Sequence, residues 1–262
     1  MKIFLVGDVI GEPGRKALAR HLPEVRERHG VDYLVVNVEN LAGGFGVTAP
    51  TCREIVDLGA DVLTSGNHIW DKRDVFDLIP AEPRLLRPHN YPPGCPGTGL
   101  HVGTSREGVR IAVLNLQGRV FMPPIDCPFR VADAVLAEIR GQADVVVVDL
   151  HAEATSEKVA MGWHLDGRVA AVVGTHTHIQ TADERVLPGG TAYLTDLGMT
   201  GPYDSVIGVD TQAVLGRFVN ALPARFETAK GNPRLCGAVV DVDPGTGRAR
   251  SIVRVSLPAA AA

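Results

Sequence analysis

The amino-acid sequence predicts an α/β fold, a four-layer α/β/β/α sandwich with two mixed sheets and flanking helices. Three observations carry that expectation. Apolar, strand-like runs alternate with helix-like segments through the first two thirds of the chain. The last third instead reads as successive strands joined by turns, a more antiparallel pattern. Acids, amides and imidazoles fall just past the C-terminal ends of the apolar runs, where open α/β sheets bind their ligands.

The elements follow in order. Residues 1–6 read as a strand and 13–29 as a helix, with Pro13 in the first turn, where a missing N–H costs little. Residues 32–38 form a strand, and 49–58 a helix for which Thr48 is an N-cap. A strand over 61–64 and a short helix over 72–79 come next. The stretch 84–99 carries Pro88, Pro92, Pro93 and Pro96, which predicts an extended loop. Strands are expected over 109–116, 144–150 and 168–173, with helices over 129–141 and 153–163. Strands over 191–195, 236–242 and 249–257 close the chain. The turn Pro244-Gly-Thr-Gly247 makes a hairpin of the last two.

The 262 residues, 45% of them hydrophobic, suffice for a single domain over 1–262 with a large core, and the alanines at 259–262 read as a frayed tail. A net charge of −4 argues against a stable grip on duplex nucleic acid, but not against a small nucleotide. No apolar run reaches membrane-spanning length, and no basic leader precedes the first strand, so a cytoplasmic location is expected, with no membrane partner. Cys52, Cys95, Cys127 and Cys236 form no Cys-x-x-Cys pair, which speaks for reduced thiols and against a zinc–thiolate site.

Gly174-Thr-His176-Thr-His178 is the strongest local signal. It places two imidazoles two residues apart, beyond the apolar run Val169-Ala-Ala-Val-Val173. Asp8, Glu39-Asn40, Asn67-His68 and His151 occupy matching positions after four earlier runs. Taken singly, each has a plainer explanation. Asp8 could cap the next helix, Glu39 could pair with Arg53 or Lys72, and a lone His151 is more often structural. Taken together, Asp8, Glu39, Asn40, Asn67, His151, His176 and His178 offer seven nitrogen and oxygen donors. That set suits two borderline cations such as iron, manganese or zinc. Glu39 can give one oxygen to each ion and so bridge them. Two ions can activate a water for attack on phosphorus, and a general acid must then protonate the leaving oxygen. His68 adjoins a ligand without being one, which makes it the candidate acid. His21, His29, His89, His101 and His164 lack strand-end positions and read mostly as surface or loop residues.

These blocks resemble the calcineurin-like metallophosphoesterases, whose pattern is D-x-H, G-D, G-N-H, a lone H, and G-H-x-H. Gly66-Asn67-His68 matches the third block, His151 the fourth, and Gly174–His178 the fifth with Thr175 inserted. Two blocks depart: Asp8-Val-Ile10 lacks the histidine, and Glu39-Asn40 stands for the bridging aspartate block. The departures resemble the YmdB-like bacterial branch. So do Arg87-Pro-His-Asn-Tyr91, Asn115-Leu-Gln-Gly118 and Thr195-Asp-Leu-Gly-Met-Thr-Gly201. The resemblance implies a di-iron phosphodiesterase for 2′,3′-cyclic nucleotides, links to RNA turnover or signalling, and a tendency to form homo-oligomers.

Other readings remain open from the residues alone. Gly7, Gly11 and Gly14 follow the first strand, but their spacing is not G-x-G-x-x-G and no G-K-[ST] occurs, so a nucleotide-cofactor fold is disfavoured. A regulator holding metals structurally, a phosphomonoesterase, and a metallohydrolase for other bonds are the alternatives.

Overall fold

The computed structural model describes residues 1–258; the tail expected at 259–262 lies outside the described residues. The chain builds the expected four layers. In the first sheet, β1 (Lys2–Val6), β2 (Tyr33–Asn37) and β3 (Val62–Thr64) run parallel. The β-hairpin β11 (Gly231–Asp243) and β12 (Arg248–Pro258) lies antiparallel to β1, and β10 (Gly201–Asp204) pairs with the start of β11. In the second sheet, β5 (Arg110–Gln117), β6 (Val145–His151), β7 (Ala171–Thr175) and β9 (Ala192–Leu194) are parallel. Antiparallel edges β4 (Leu100–Thr104) and β8 (Arg185–Val186) finish it.

Strand alternation explains the layers. Successive side chains point to opposite faces, so Ile3 and Leu5 enter the layer between the sheets while Phe4 and Val6 face outward. The inter-sheet core adds Val35, Val113, Val147, Val173 and Val240. The outer face of the first sheet is covered by α1 (Gly11–His29), α2 (Ala49–Asp57) and α3 (Val75–Ala81), through Leu18, Leu22, Ile55 and Ile79. The outer face of the second is covered by α4 (Pro128–Glu138) and α5 (Thr155–Leu165), through Ala132, Val135, Met161 and Leu165. Each fully buried Leu, Ile or Val contributes about 1.5–3 kcal/mol of transfer free energy. Three such cores fix both sheets relative to their helices.

Several local expectations are corrected. Strand β4, strand β10 and helix α6 (Thr211–Asn220) were not anticipated. The pattern of β4 is half-exposed throughout, which leaves no clean alternation to read. His21 is not a surface residue: it lies on the buried face of α1. His101 lies in β4, not a loop. The capping expectation at Thr48 stands, with Thr51 completing a reciprocal capping box. No helix among the described residues is long and apolar enough to cross a membrane.

Candidate active site

Parallel register brings the C-terminal ends of β1, β2, β3, β6 and β7 to one edge of the sandwich. Asp8 follows β1, Glu39 and Asn40 follow β2, and Asn67 opens a short 3-10 turn, Asn67–Trp70, after β3. His151 is the last residue of β6, while His176 and His178 follow β7. All seven anticipated donors therefore face one another across the seam between the sheets.

The contacts sort into two groups that share one residue. Glu39 Oε2 lies 3.2 Å from His151 Nε2, and that nitrogen lies 3.0 Å from Asn67 Oδ1. His176 packs edge-on to His151, with ring centroids 4.6 Å apart. On the other side, His178 Nε2 is 3.9 Å from Asp8 Oδ1 and 3.4 Å from the Asn40 amide. Asn40 in turn donates to Glu39 Oε1 at 3.0 Å. Donor atoms of Glu39, His151 and His176 lie within 4.8 Å of one another, and so do those of Asp8, Glu39 and His178. The plainer explanations of Asp8 and Glu39 fail. The N-cap of α1 is Ile10, with no side-chain cap, and neither Arg53 nor Lys72 pairs with Glu39.

Electrostatics shows what these side chains need. Asp8 and Glu39 are fully buried, and burial pushes both carboxyls up; the neighbouring Asp8 pushes Glu39 further. Burial depresses His151 strongly and brings His176 down to about 4, with His178 and Lys158 adding to the latter. Asp8 Oδ1 is buried with no hydrogen-bond partner. Two buried carboxylates with neutral imidazoles and an orphaned oxygen are costly without a counter-charge. A divalent cation in each group would supply it: it would bring the carboxyl shifts back down and keep the imidazoles neutral as ligands. The backbone is shaped for the same end: a methyl group at Gly66 would overlap the His151 ring and the Glu39 carboxylate.

Supporting residues set the imidazoles. His151 Nδ1 donates to Thr175 Oγ1 at 3.0 Å, and Thr175 donates on to Asp149 at 2.8 Å. Burial raises Asp149 to about 7, held back by hydrogen bonds from Thr64 and Thr175. His178 Nδ1 donates to the Ile207 carbonyl at 2.8 Å. In both rings the Nε2 lone pair is thereby left facing the carboxylates. His176 and His178 both have positive φ, 93° and 64°. They do not share a strand face; the turn past β7 converges them instead. Thr177 between them is held by Asp196, which accepts its N–H and hydroxyl and pairs with Lys158 Nζ at 2.8 Å. Sequence reasoning missed Asp149, Thr175, Lys158 and Asp196 as site residues. Asp149 had a signal, a carboxylate inside an otherwise apolar strand. Asp196 stood in a quoted block with no role attached.

His68 lies in the same cavity as Glu39, Asn40, His176 and His178. It belongs to neither donor group. Its N–H meets Glu39 Oε2 at 3.2 Å, and its ring Nδ1 is 2.8 Å from Asp71 Oδ2. The ring is partly exposed and lines the cavity.

Comparison with known proteins agrees with this geometry. The model of the YmdB-like protein family matches residues 4–255. The chain is 47% identical over 255 residues to a Bacillus subtilis (strain 168) protein named 2′,3′-cyclic-nucleotide 2′-phosphodiesterase, covering 97% of this chain and 96% of that one. The crystal structure of a hypothetical protein from Thermus thermophilus superposes with TM-score 0.92 at 41% identity, covering 98% and 99% of the two chains. A Mycoplasma pneumoniae structure described as a novel phosphatase gives TM-score 0.93 at 30% identity, covering 98% and 93%. A Staphylococcus aureus structure described as a 5′-nucleotidase, at 16% identity and TM-score 0.63, shares the fold alone. With donor groups that could hold metal ions and a family match across nearly its whole length, the chain belongs to the YmdB-like family of metallophosphoesterases.

Proposed function

We propose that this protein is a dinuclear-metal phosphodiesterase acting on 2′,3′-cyclic nucleotides. The observation that carries the reading is Glu39, the one residue common to both donor groups. Asp8, Glu39, Asn40 and His178 would hold one ion; Glu39, Asn67, His151 and His176 would hold the other. The Asn40 amide reaches the first group from the direction of its nitrogen, and a half-turn presents its oxygen instead. Iron is the first assignment for both ions, and manganese and zinc accept the same donors. Bound there, the two ions polarise the phosphoryl oxygens and lower the pKa of the attacking water.

The protein's own residues do the rest. Glu39 holds the two halves of the site at fixed spacing. Asp71 accepts the His68 Nδ1 proton, so that His68 presents Nε2 toward the cavity. His68 gives its Nε2 proton to the ribose oxygen as that oxygen's bond to phosphorus breaks, and keeps the Nδ1 proton that it shares with Asp71. Water supplies the new oxygen on phosphorus, so a cyclic diester becomes a monoester with one free hydroxyl. Substrate identity follows from the name of the Bacillus subtilis relative. Diesters should be preferred over monoesters, since one imidazole of the usual family pattern is missing beside the first ion. The self-association implied by the family resemblance, and the cytoplasmic location expected from the sequence, belong to the same proposal.

The test pairs elemental analysis with a substrate panel. Protein purified without chelators should hold close to two metal equivalents per chain. Its kcat/KM should be higher on a cyclic nucleotide than on a phosphate monoester or an amide. A metal ratio near one after reconstitution, or faster monoester turnover, would refute the reading.

A further inference from the structure

The cavity over the strand ends measures about 200 Å³, and the donor residues form only its floor. Its far wall comes from two other segments. One is the loop after β2, which brings Gly44 and Phe45; the other is the excursion between β10 and β11, which brings Ile207, Phe226 and Thr228. The two segments meet closely: a methyl group at Gly44 would crowd the Thr228 hydroxyl. The excursion is pinned at its base by a bridge between Val209 and Thr228, and by the His178 hydrogen bond to the Ile207 carbonyl.

This wall has chemistry that phosphate does not need. Phe45 stands edge-on to His68, with ring centroids 5.1 Å apart. Phe226 is half-buried, with the Arg217 guanidinium 5.2 Å from its ring centre. Thr228 Oγ1 is buried and has no hydrogen-bond partner. Aromatic walls with a few placed polar atoms suit a flat heteroaromatic ligand, and aromatic faces stack on any base. A hydroxyl both donates and accepts, so it meets either kind of atom on a base edge.

We propose that Phe45, Phe226 and Thr228 form a nucleobase subsite, which takes the base of a nucleotide whose phosphate lies on the donor residues. The subsite makes the enzyme selective for nucleosides over bare sugar phosphates, while tolerating purines and pyrimidines alike. The proposal rests on the phosphodiesterase reading for where the phosphate lies.

The experiment compares a nucleoside 2′,3′-cyclic phosphate with methyl riboside 2′,3′-cyclic phosphate, which keeps the scissile group but lacks the base. Wild type should favour the nucleotide. Phe226→Ala should lower kcat/KM on the nucleotide about 5- to 150-fold more than on the baseless diester, mainly through KM. Phe226→Leu keeps the apolar bulk and loses only the ring, so it reports if the alanine variant misfolds. Thr228→Val should shift the ratio in the same direction by less. Calorimetry with a nucleoside 3′-monophosphate against ribose 3-phosphate should show the same base dependence. Equal kcat/KM on the two diesters in wild type, or equal losses on both in the Phe226 variants, overturns the subsite. If wild type cleaves no diester, the calorimetry decides. Base-dependent binding weakened by Phe226→Ala then keeps the subsite and removes the diesterase reading; base-independent binding removes the subsite.

Discussion

The two sheets contribute unlike halves to one site. The first supplies oxygen, from Asp8, Glu39, Asn40 and Asn67, all on backbone without positive φ. The second supplies nitrogen, from His151, His176 and His178, and two of these three stand at positive φ. The oxygen half is easy for the chain to build but electrostatically costly, because Asp8 and Glu39 are buried side by side. The nitrogen half carries no charge of its own but is strained, at about 1–3 kcal/mol for each left-handed non-glycine residue. A clamp of the buried pair Lys158 and Asp196 with half-buried Thr177 holds that strain in place. The difference teaches that cation binding serves the halves differently: it relieves charge on one side and rewards preset geometry on the other.

The comparison breaks most completely at Glu39, the residue both donor groups share. Glu39→Gln and Glu39→Ala should each lose one metal equivalent and nearly all turnover, read by elemental analysis beside a diesterase assay. Two equivalents retained in both variants would show that the halves hold their ions independently.

The next largest effect belongs to His68, which stands on the oxygen side but outside both groups. His68→Ala should keep both metals and the fold. Turnover of a diester with a poor leaving group should fall by roughly 10²–10⁴. A nitrophenyl ester needs less protonation and should lose less. Equal losses on both substrates, together with metal loss, would make His68 a ligand.

The smallest effect tests the nitrogen half alone. Lys158→Met leaves Asp196 buried without its cation, which costs about 3–5 kcal/mol of stability. Metal affinity should fall roughly 10- to 100-fold, as for other residues that orient ligands from behind. Thermal denaturation and a metal titration read the two separately. A lower Tm with unchanged metal affinity would mean that the clamp stabilises the fold without setting the histidines.

Much of this is legible in the sequence alone. The donors could be read because a polar residue after an apolar run has one plain structural meaning: it sits at a strand end. The clamp residues could not be read that way. Lys158 is spaced like any helix-surface lysine, yet it is 1% exposed because α5 packs over the loop that carries Thr177. His21 differs: Ala17, Leu18 and Val25 stand three or four residues from it, and that apolar stripe marks the covered face of α1, which residue type alone hides. The excursion that forms the far cavity wall was missed as well, including α6 with its exposed Phe218 and Val219.

The sequence by itself determined the four layers, the succession of most strands and helices, and the strand-end positions of the seven donors. Those depend on local periodicity and on residue type, which the chain carries along its length. Only the tertiary structure decided how the donors divide, with Glu39 common to both groups, and that Thr177 is held by Asp196. Only it showed that residues after β2 and before β11 meet over the same cavity. Such facts depend on register and packing between segments as distant along the chain as Gly44 and Thr228. No local pattern records a meeting of that kind, because it is set by how two sheets close on a shared core.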